Sequence, residues 1–308
     1  MTTKHTLICS LYQDKSIPFR TCTLSSKPSL DKLRDIYAHN FKAFSYVLSY
    51  CQKHHIRSLR VLSGLFPLST HPSYETSCAP LVEEWLPQYG ALDYSGVELS
   101  AHPDQFILLS SVNPHINEAS CRELETYAAQ RPYIPWNLVN IHVGSKAKGL
   151  EEHSKILEQS VKQLSPQAKE LLSLENDEKS YSFLETLHLA QANGLMMVPD
   201  FHHERCMQRR LNEKTTNASS DDVIYEHLED VVDTYSGREA TPLFHISSPS
   251  NGWNGIFKEH CQHAEYIAWD DYPHELAKHM GSCEYRLDIE AKAKELAIAQ
   301  LEQRLLKE

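Results

Sequence analysis

Leu195-Met196-Met197-Val198-Pro199-Asp200-Phe201-His202-His203 sets a short apolar run directly against an acid and two imidazoles. Leu195–Pro199 reads as a buried strand, and the polar residues fall just beyond its carboxyl end. The same join recurs along the chain. Further strands are expected at His5–Leu11, Arg57–Ser63, Val97–Ala101, Leu138–Val143, Leu171–Glu175, Pro242–Ile246 and Tyr285–Ile289. Helical patterns separate most of them. Over Ser29–Cys51 the apolar residues Leu30, Leu33, Ile36, Tyr37, Phe41, Phe44, Val47 and Leu48 recur at helical spacing, with Ser29 as N-cap. Ser165-Pro166 opens another helix with a capping serine before a first-turn proline. Tyr181–Ala192 and Ile289–Leu306 carry the same periodicity, and the polar stretch Arg205–Asp222 reads as a long loop or short insertion.

Eight strands alternating with helices predict one α/β domain over residues 1–308, a (β/α)₈ TIM-type barrel. An open doubly wound sheet is the structural alternative. The 10 glycines form no G-x-G-x-x-G, which argues against a dinucleotide site.

Strands three to eight each deliver a histidine or carboxylate at or near the carboxyl end. They supply, in order, His102, His142, Glu175, Asp200 with His202 and His203, His245, and Asp288 with Glu290. That end is where active sites of parallel barrels assemble. Buried carboxylates and imidazoles without a cation carry a large desolvation cost, so their convergence implies divalent metal. Carboxylates between two cations offset their mutual repulsion, and imidazoles fill the outer positions. His71 and His263 are further candidates, on spacing alone no better than surface histidines.

Composition narrows the class. Histidine is abundant at 18 of 308 residues, and the eight cysteines form no C-x-x-C. Scattered thiols fit a reducing cytoplasm rather than a disulfide framework or zinc ribbon. No apolar run is long enough to span a bilayer, and Met1–Leu11 does not read as a signal peptide. The net charge of −11 argues against a nucleic-acid partner, except where acids serve as metal ligands.

Eight segments in register carry a resemblance. They are R-V-L-S at Arg60 to Ser63, H-P-D-Q-F at His102 to Phe106, N-I-H-V-G from Asn140, L-E-N-D from Leu174, P-D-F-H-H from Pro199, H-I-S-S from His245, H-A-E-Y-I from His263 and D-I-E-A-K from Asp288. Together they resemble the UV-damage endonucleases, which are similar in fold and metal site to the endonuclease IV group. The resemblance implies hydrolysis of the phosphodiester bond 5′ to a UV photoproduct in double-stranded DNA, leaving a 3′-hydroxyl and a 5′-phosphate. It implies two or three divalent ions, manganese first, with zinc or magnesium as alternatives. The ligands would be His71, His102, His142, Glu175, Asp200, His203, His245, His263 and Glu290. Gln105 and Phe106 would probe the lesion, and Tyr12 stands near the family's strand-one aromatic. The family's substrate suggests a monomer, with no nucleotide cofactor and no membrane.

Within that reading Glu175 is expected to bridge two cations and Glu290 to orient water. Phosphate contacts are sought among Lys146, Lys148, Arg60 and the Arg205, Arg209, Arg210 cluster. There is one departure. Relatives can carry a lysine two residues before the strand-seven histidine, where carbamylation lets it assist the metals. Here Leu243 stands there, and leucine cannot ligate. The competing readings are a metal-dependent sugar isomerase or epimerase on the same barrel, an apurinic-site endonuclease, and a damage-binding protein without turnover.

Overall fold

The computed structural model describes residues 4–8, 10–13, 17–62, 64–211 and 221–307. Its strands are β1 (Lys4–Ile8), β2 (Ser58–Leu62), β3 (Glu98–His102), β4 (Trp136–His142), β5 (Leu172–Glu175), β6 (Met196–Val198), β7 (Leu243–Ile246) and β8 (Arg286–Ile289). Between and after them run α1 (Leu30–Lys53), α2 (Glu75–Gly90), α3 (Pro114–Gln130), α4 (Leu150–Gln163), α5 (Pro166–Leu171), α6 (Phe183–Asn193), α7 (Phe201–Leu211), α8 (Asp222–Glu226), α9 (Leu228–Asp233), α10 (Phe257–His260), α11 (Leu276–Met280) and α12 (Glu295–Leu305).

All strand pairs are parallel, in the order β6-β5-β4-β3-β2-β1-β8-β7. β6 and β7 then meet through a parallel bridge between Asp200 and His245, with His245 N donating to Pro199 O at 2.9 Å. The sheet is thereby a barrel, and two expected ligands form its seam. This settles the barrel against the open sheet.

Local signals read from the sequence operate as expected. Ser29 Oγ accepts from Lys32 N at 3.2 Å, and α1 buries Leu33, Ile36, Tyr37, Phe44, Val47 and Leu48. Ser165 Oγ accepts from Ala168 N at 3.1 Å ahead of Pro166. Gly144 lies at φ +113, where a Cβ would stand 2.9 Å from Ser110 Oγ. Glycine there lets the chain turn away immediately past His142.

Two expectations shift. Arg205 to Leu211 is not loop but the rest of α7, because Arg205, Cys206 and Met207 bury against the barrel. The remainder of that polar stretch, residues 212–220, lies outside the described residues, as do Ser63 and Cys9. The last helix begins at Glu295 rather than Ile289. Lys292 N and Ala293 N instead donate to Ala264 O and Glu265 O, both at 2.9 Å, which holds the segment after Glu290 out of a helix. The described cysteines are all free, and no described helix is long and apolar enough to cross a membrane.

The barrel interior is polar in layers. Side chains alternate across a strand, so residues two apart share a face. The pairs Ser100/His102, Asn140/His142, Ser173/Glu175 and Asp288/Glu290 therefore each send two polar groups to the same side. Register pairs Leu243 with Arg286 and His245 with Asp288, so Leu243 stands one layer beneath His245, fully buried.

Candidate metal centre

Glu175, at the end of β5, is the hub. Its Oε1 lies 3.1 Å from His245 Nδ1 and 3.4 Å from His203 Nδ1. Its Oε2 lies 3.1 Å from His102 Nε2 and also accepts from Asn140 Nδ2. Two groups of potential ligand atoms share it. One joins His102, His142 and Glu175; the other joins Glu175, Asp200, His245 and Glu290; within each group the atoms lie within 4.8 Å of one another.

The remaining expected ligands divide. The His203 ring packs 5.5 Å from that of His142, and its Nδ1 is 3.5 Å from Asp200 Oδ2. His263 reaches the cluster through Glu290, Nδ1 to Oε2 at 3.4 Å. His71 belongs to neither group. Its Nδ1 accepts from Ser73 N at 3.1 Å, and its ring lies edge-on to Tyr74 on the β2–α2 connection. Gln105 and Phe106 are exposed just past β3, Phe106 by 73%. Tyr12 is exposed at the β1 end, its N donating to Glu295 Oε2 at 2.7 Å.

The donor set fits divalent ions. Buried polar atoms ordinarily find partners. Asp200 Oδ2 and His142 Nδ1 are buried here without a hydrogen bond, inside the two groups. Oxygen and imidazole nitrogen donors without thiolate suit manganese, magnesium or zinc.

A supporting layer, largely unread in the sequence, holds these ligands. His245 turns Nδ1 toward Glu175 and Glu290 (3.2 Å), and Nε2 toward Asp288 Oδ2 at 3.2 Å. A carboxylate behind a ligating imidazole fixes its tautomer and orientation. Arg60 Nη1 in turn bonds Glu290 and lies 3.3 Å from Asp288 Oδ2. Asn176 grips the Asp200 backbone, Oδ1 accepting from Asp200 N at 2.8 Å and Nδ2 donating to Asp200 O at 3.0 Å. Part of the signal was available in the sequence: a polar residue stands two positions before His102, His142, Glu175 and Glu290, on the same strand face.

That layer corrects several expected phosphate contacts. Arg60 is buried in the lumen, not at the surface. Arg205 is also buried, held to Asp221 Oδ1 at 2.8 Å. Lys146 Nζ is engaged by Glu185 at 2.6 Å. Lys148, Arg209 and Arg210 keep partial or full exposure.

Burial and the cluster's own charges set its electrostatics. Burial alone would raise Glu175, but His245 and His142 hold it well below the usual carboxylate range. Burial likewise opposes ionisation of Glu290, and Arg60 and His245 override it. Burial lifts Asp200 to about 7, reinforced by Glu290 and Glu175. Burial would lower both imidazoles, yet Asp200 and Glu175 push His203, and Glu175 and Asp288 push His245, well above the ordinary imidazole value.

The upward shifts favour extra protons on both imidazoles. Ligation requires neutral imidazole, so metal binding must expel them. Calorimetry in buffers of differing ionisation enthalpy should register about two to three protons released per chain near neutral pH, from His203, His245 and in part Asp200, with affinity rising as pH rises. Metal uptake with no proton release would contradict the ligand assignment for His203 and His245.

The family model described as UV-endonuclease UvdE matches residues 6–308. The chain belongs to the UvdE family of UV endonucleases. A UV DNA damage endonuclease of Nostoc sp. is 32% identical, over 96% of this chain and 88% of that one. One of Deinococcus radiodurans is also 32% identical, over 96% of this chain and 93% of its own. The crystal structure of SacUVDE superposes with a TM-score of 0.76 at 20% identity, covering 100% of both chains. Membership in UvdE puts the chain among DNA-cleaving enzymes rather than sugar isomerases or epimerases.

Proposed function

We propose that the chain hydrolyses the phosphodiester bond immediately 5′ to UV photoproducts in duplex DNA, cyclobutane dimers and 6-4 photoproducts alike, as a monomer using two or three divalent ions. The observation that carries this reading is Glu175, one carboxylate common to both ligand groups. Manganese is the first candidate, with zinc or magnesium as alternatives. His102, His142, Glu175, Asp200, His203, His245, His263 and Glu290 would hold the ions, with His71, which belongs to neither group, as an outer ligand. When bound, such ions supply Lewis-acid stabilisation of the phosphoryl oxygens and of the departing 3′-oxygen.

The chain's own groups do the rest. Glu175 offsets the positive charge that would otherwise separate the two ion positions. Glu290 turns Oε1 to Arg60 and leaves Oε2 facing His263 at the rim, where it is placed to orient the attacking water. His245, braced by Asp288, keeps its donor atom aimed at Glu175 and Glu290.

Recognition falls to Gln105 and Phe106. A photoproduct stacks and pairs poorly, so opening the duplex there costs less than at normal bases. Phe106 stacks on the uncovered bases and Gln105 replaces lost base hydrogen bonds. Phe106→Ala should cost about 1–3 kcal/mol of lesion-duplex binding, roughly 5- to 150-fold, with metal content unchanged. Loss of bound metal in that variant would make the loop structural instead.

The reading is tested on an end-labelled duplex carrying one photoproduct. With manganese present, one cut 5′ to the lesion with a 3′-hydroxyl is expected. Cutting only at an abasic site would select the apurinic-site reading, and tight binding without any cut the loss of turnover.

A further inference from the structure

The connection from β7 to β8 leaves the barrel as a hairpin. Ala264 N donates to Ser248 O at 2.8 Å, Pro249 and His263 form an antiparallel bridge, and Ser250 N donates to Gln262 O at 2.6 Å. Its base is thus joined to His263, which contacts Glu290 in the metal centre. Its tip carries Asn251, Asn254, Ile256 and Lys258, all exposed, with Ile256 at 66%. Ile256 N donates to Glu259 Oε2 at 3.2 Å, and Glu259 N to Ile256 O at 2.8 Å, so the turn presenting Ile256 is tied down.

The hairpin also leans on α7, whose first turn brings His203 to the centre. Trp253 lies against His202 at 5.5 Å between ring centroids, and its Nε1 donates to Asp271 Oδ1 at 2.7 Å. Arg209 covers the Trp253 ring at 4.6 Å, and Arg210 approaches the Phe257 ring at 5.8 Å. Arg209, Arg210 and Lys258 therefore gather at one place on a chain whose net charge is −11. Among the described residues, two acids close to the hairpin are otherwise occupied: Glu178 by Lys179 at 2.5 Å, and Glu259 by the turn it caps.

β3 and β7 lie four strands apart either way around the closed eight-stranded ring, on opposite sides of the mouth. A duplex lying across the metal centre from the Phe106 loop meets this hairpin on the far side. Exposed isoleucine flanked by amide and cationic side chains is the equipment of minor-groove wedges. Resting on the functional reading above, we propose that the 248–264 hairpin with the end of α7 is a second DNA-binding arm. Arg209, Arg210 and Lys258 take backbone phosphates, and Ile256 wedges into the minor groove of the flanking duplex, opposite Phe106.

The test is fluorescence anisotropy of wild type and variants on a labelled duplex with one photoproduct and on the same duplex intact, across a salt titration. Removing one cation that neutralises a phosphate lowers the log-log salt slope by about 0.9. The combined Arg209→Gln, Arg210→Gln, Lys258→Gln variant should therefore drop the slope by about 2–3 on both duplexes. Ile256→Ser should keep the wild-type slope, thermal midpoint and metal content, yet bind the lesion duplex several-fold less tightly. An unchanged slope in the first variant, or unchanged affinity in the second, overturns the arm while wild-type cleavage leaves the functional reading standing. A wild type that neither binds nor cuts the damaged duplex removes both.

Discussion

Glu175→Gln should abolish nicking and cost the protein its tightest metal binding. The substitution keeps the side chain's size and removes one negative charge from between His102, His203 and His245. At about 4 Å and an effective dielectric of roughly 20, a carboxylate–cation contact is worth about 4 kcal/mol per unit charge, or roughly a thousandfold in affinity. Because Glu175 belongs to both ligand groups, the loss falls on two ion positions at once. Single-turnover cleavage and metal titration by calorimetry should fall together. Near-normal nicking with unchanged metal affinity would show that the shared carboxylate is not the hub.

Arg60→Met is expected to cost stability more than any other single change in the lumen. Arg60 faces Asp288 and Glu290 with almost no solvent access, and its own ionisation is enforced by those two acids despite burial. Removing one partner of a buried ion pair typically costs about 3–5 kcal/mol, because the other charge stays buried. Denaturant unfolding of the metal-free variant at neutral pH should show a loss of that order. Added manganese should narrow the gap, since cations would again neutralise Glu290.

The pH dependence follows from the direction of the shifts. Asp288 and Glu290 have depressed folded-state values, so their contribution is present above the unfolded carboxylate range and is lost as pH falls through the folded values. The deficit of Arg60→Met should be full at neutral pH, begin to shrink below about pH 4, and close only as pH falls through the depressed folded values. A deficit that persists unchanged into acid would mean that Arg60 serves packing rather than charge.

The strand ends were legible because burial and chemistry coincide there. A short apolar run followed at once by His, Asp or Glu marks both the strand and its outlet, as at Met196–Val198 followed by Asp200. The layer beneath was harder to see. Asn140 and Ser173 are polar residues inside strands, and each reads locally as an ordinary solvent-facing position. Only closure of the sheet turns that face into a lumen, and the closure runs through the Asp200–His245 bridge, which pairs residues far apart in sequence. Arg60 was misread for the same reason: an arginine with no acid beside it in sequence suggests phosphate until the ring brings Asp288 and Glu290 beside it.

Net charge misled in the opposite sense. Glu175, Asp200, Asp288 and Glu290 are all buried, so part of the −11 never faces a DNA backbone. Leu243 shows where the expectation and the fold meet. Register puts it in the lumen below His245, so the family's lysine position is a site of packing in this chain.

Elemental analysis of the protein after equilibration with manganese and removal of excess ion tests the central claim most directly. Two or more ions retained per chain in the wild type is the expected result. Retention of fewer than one would contradict a cation cluster gathered around Glu175.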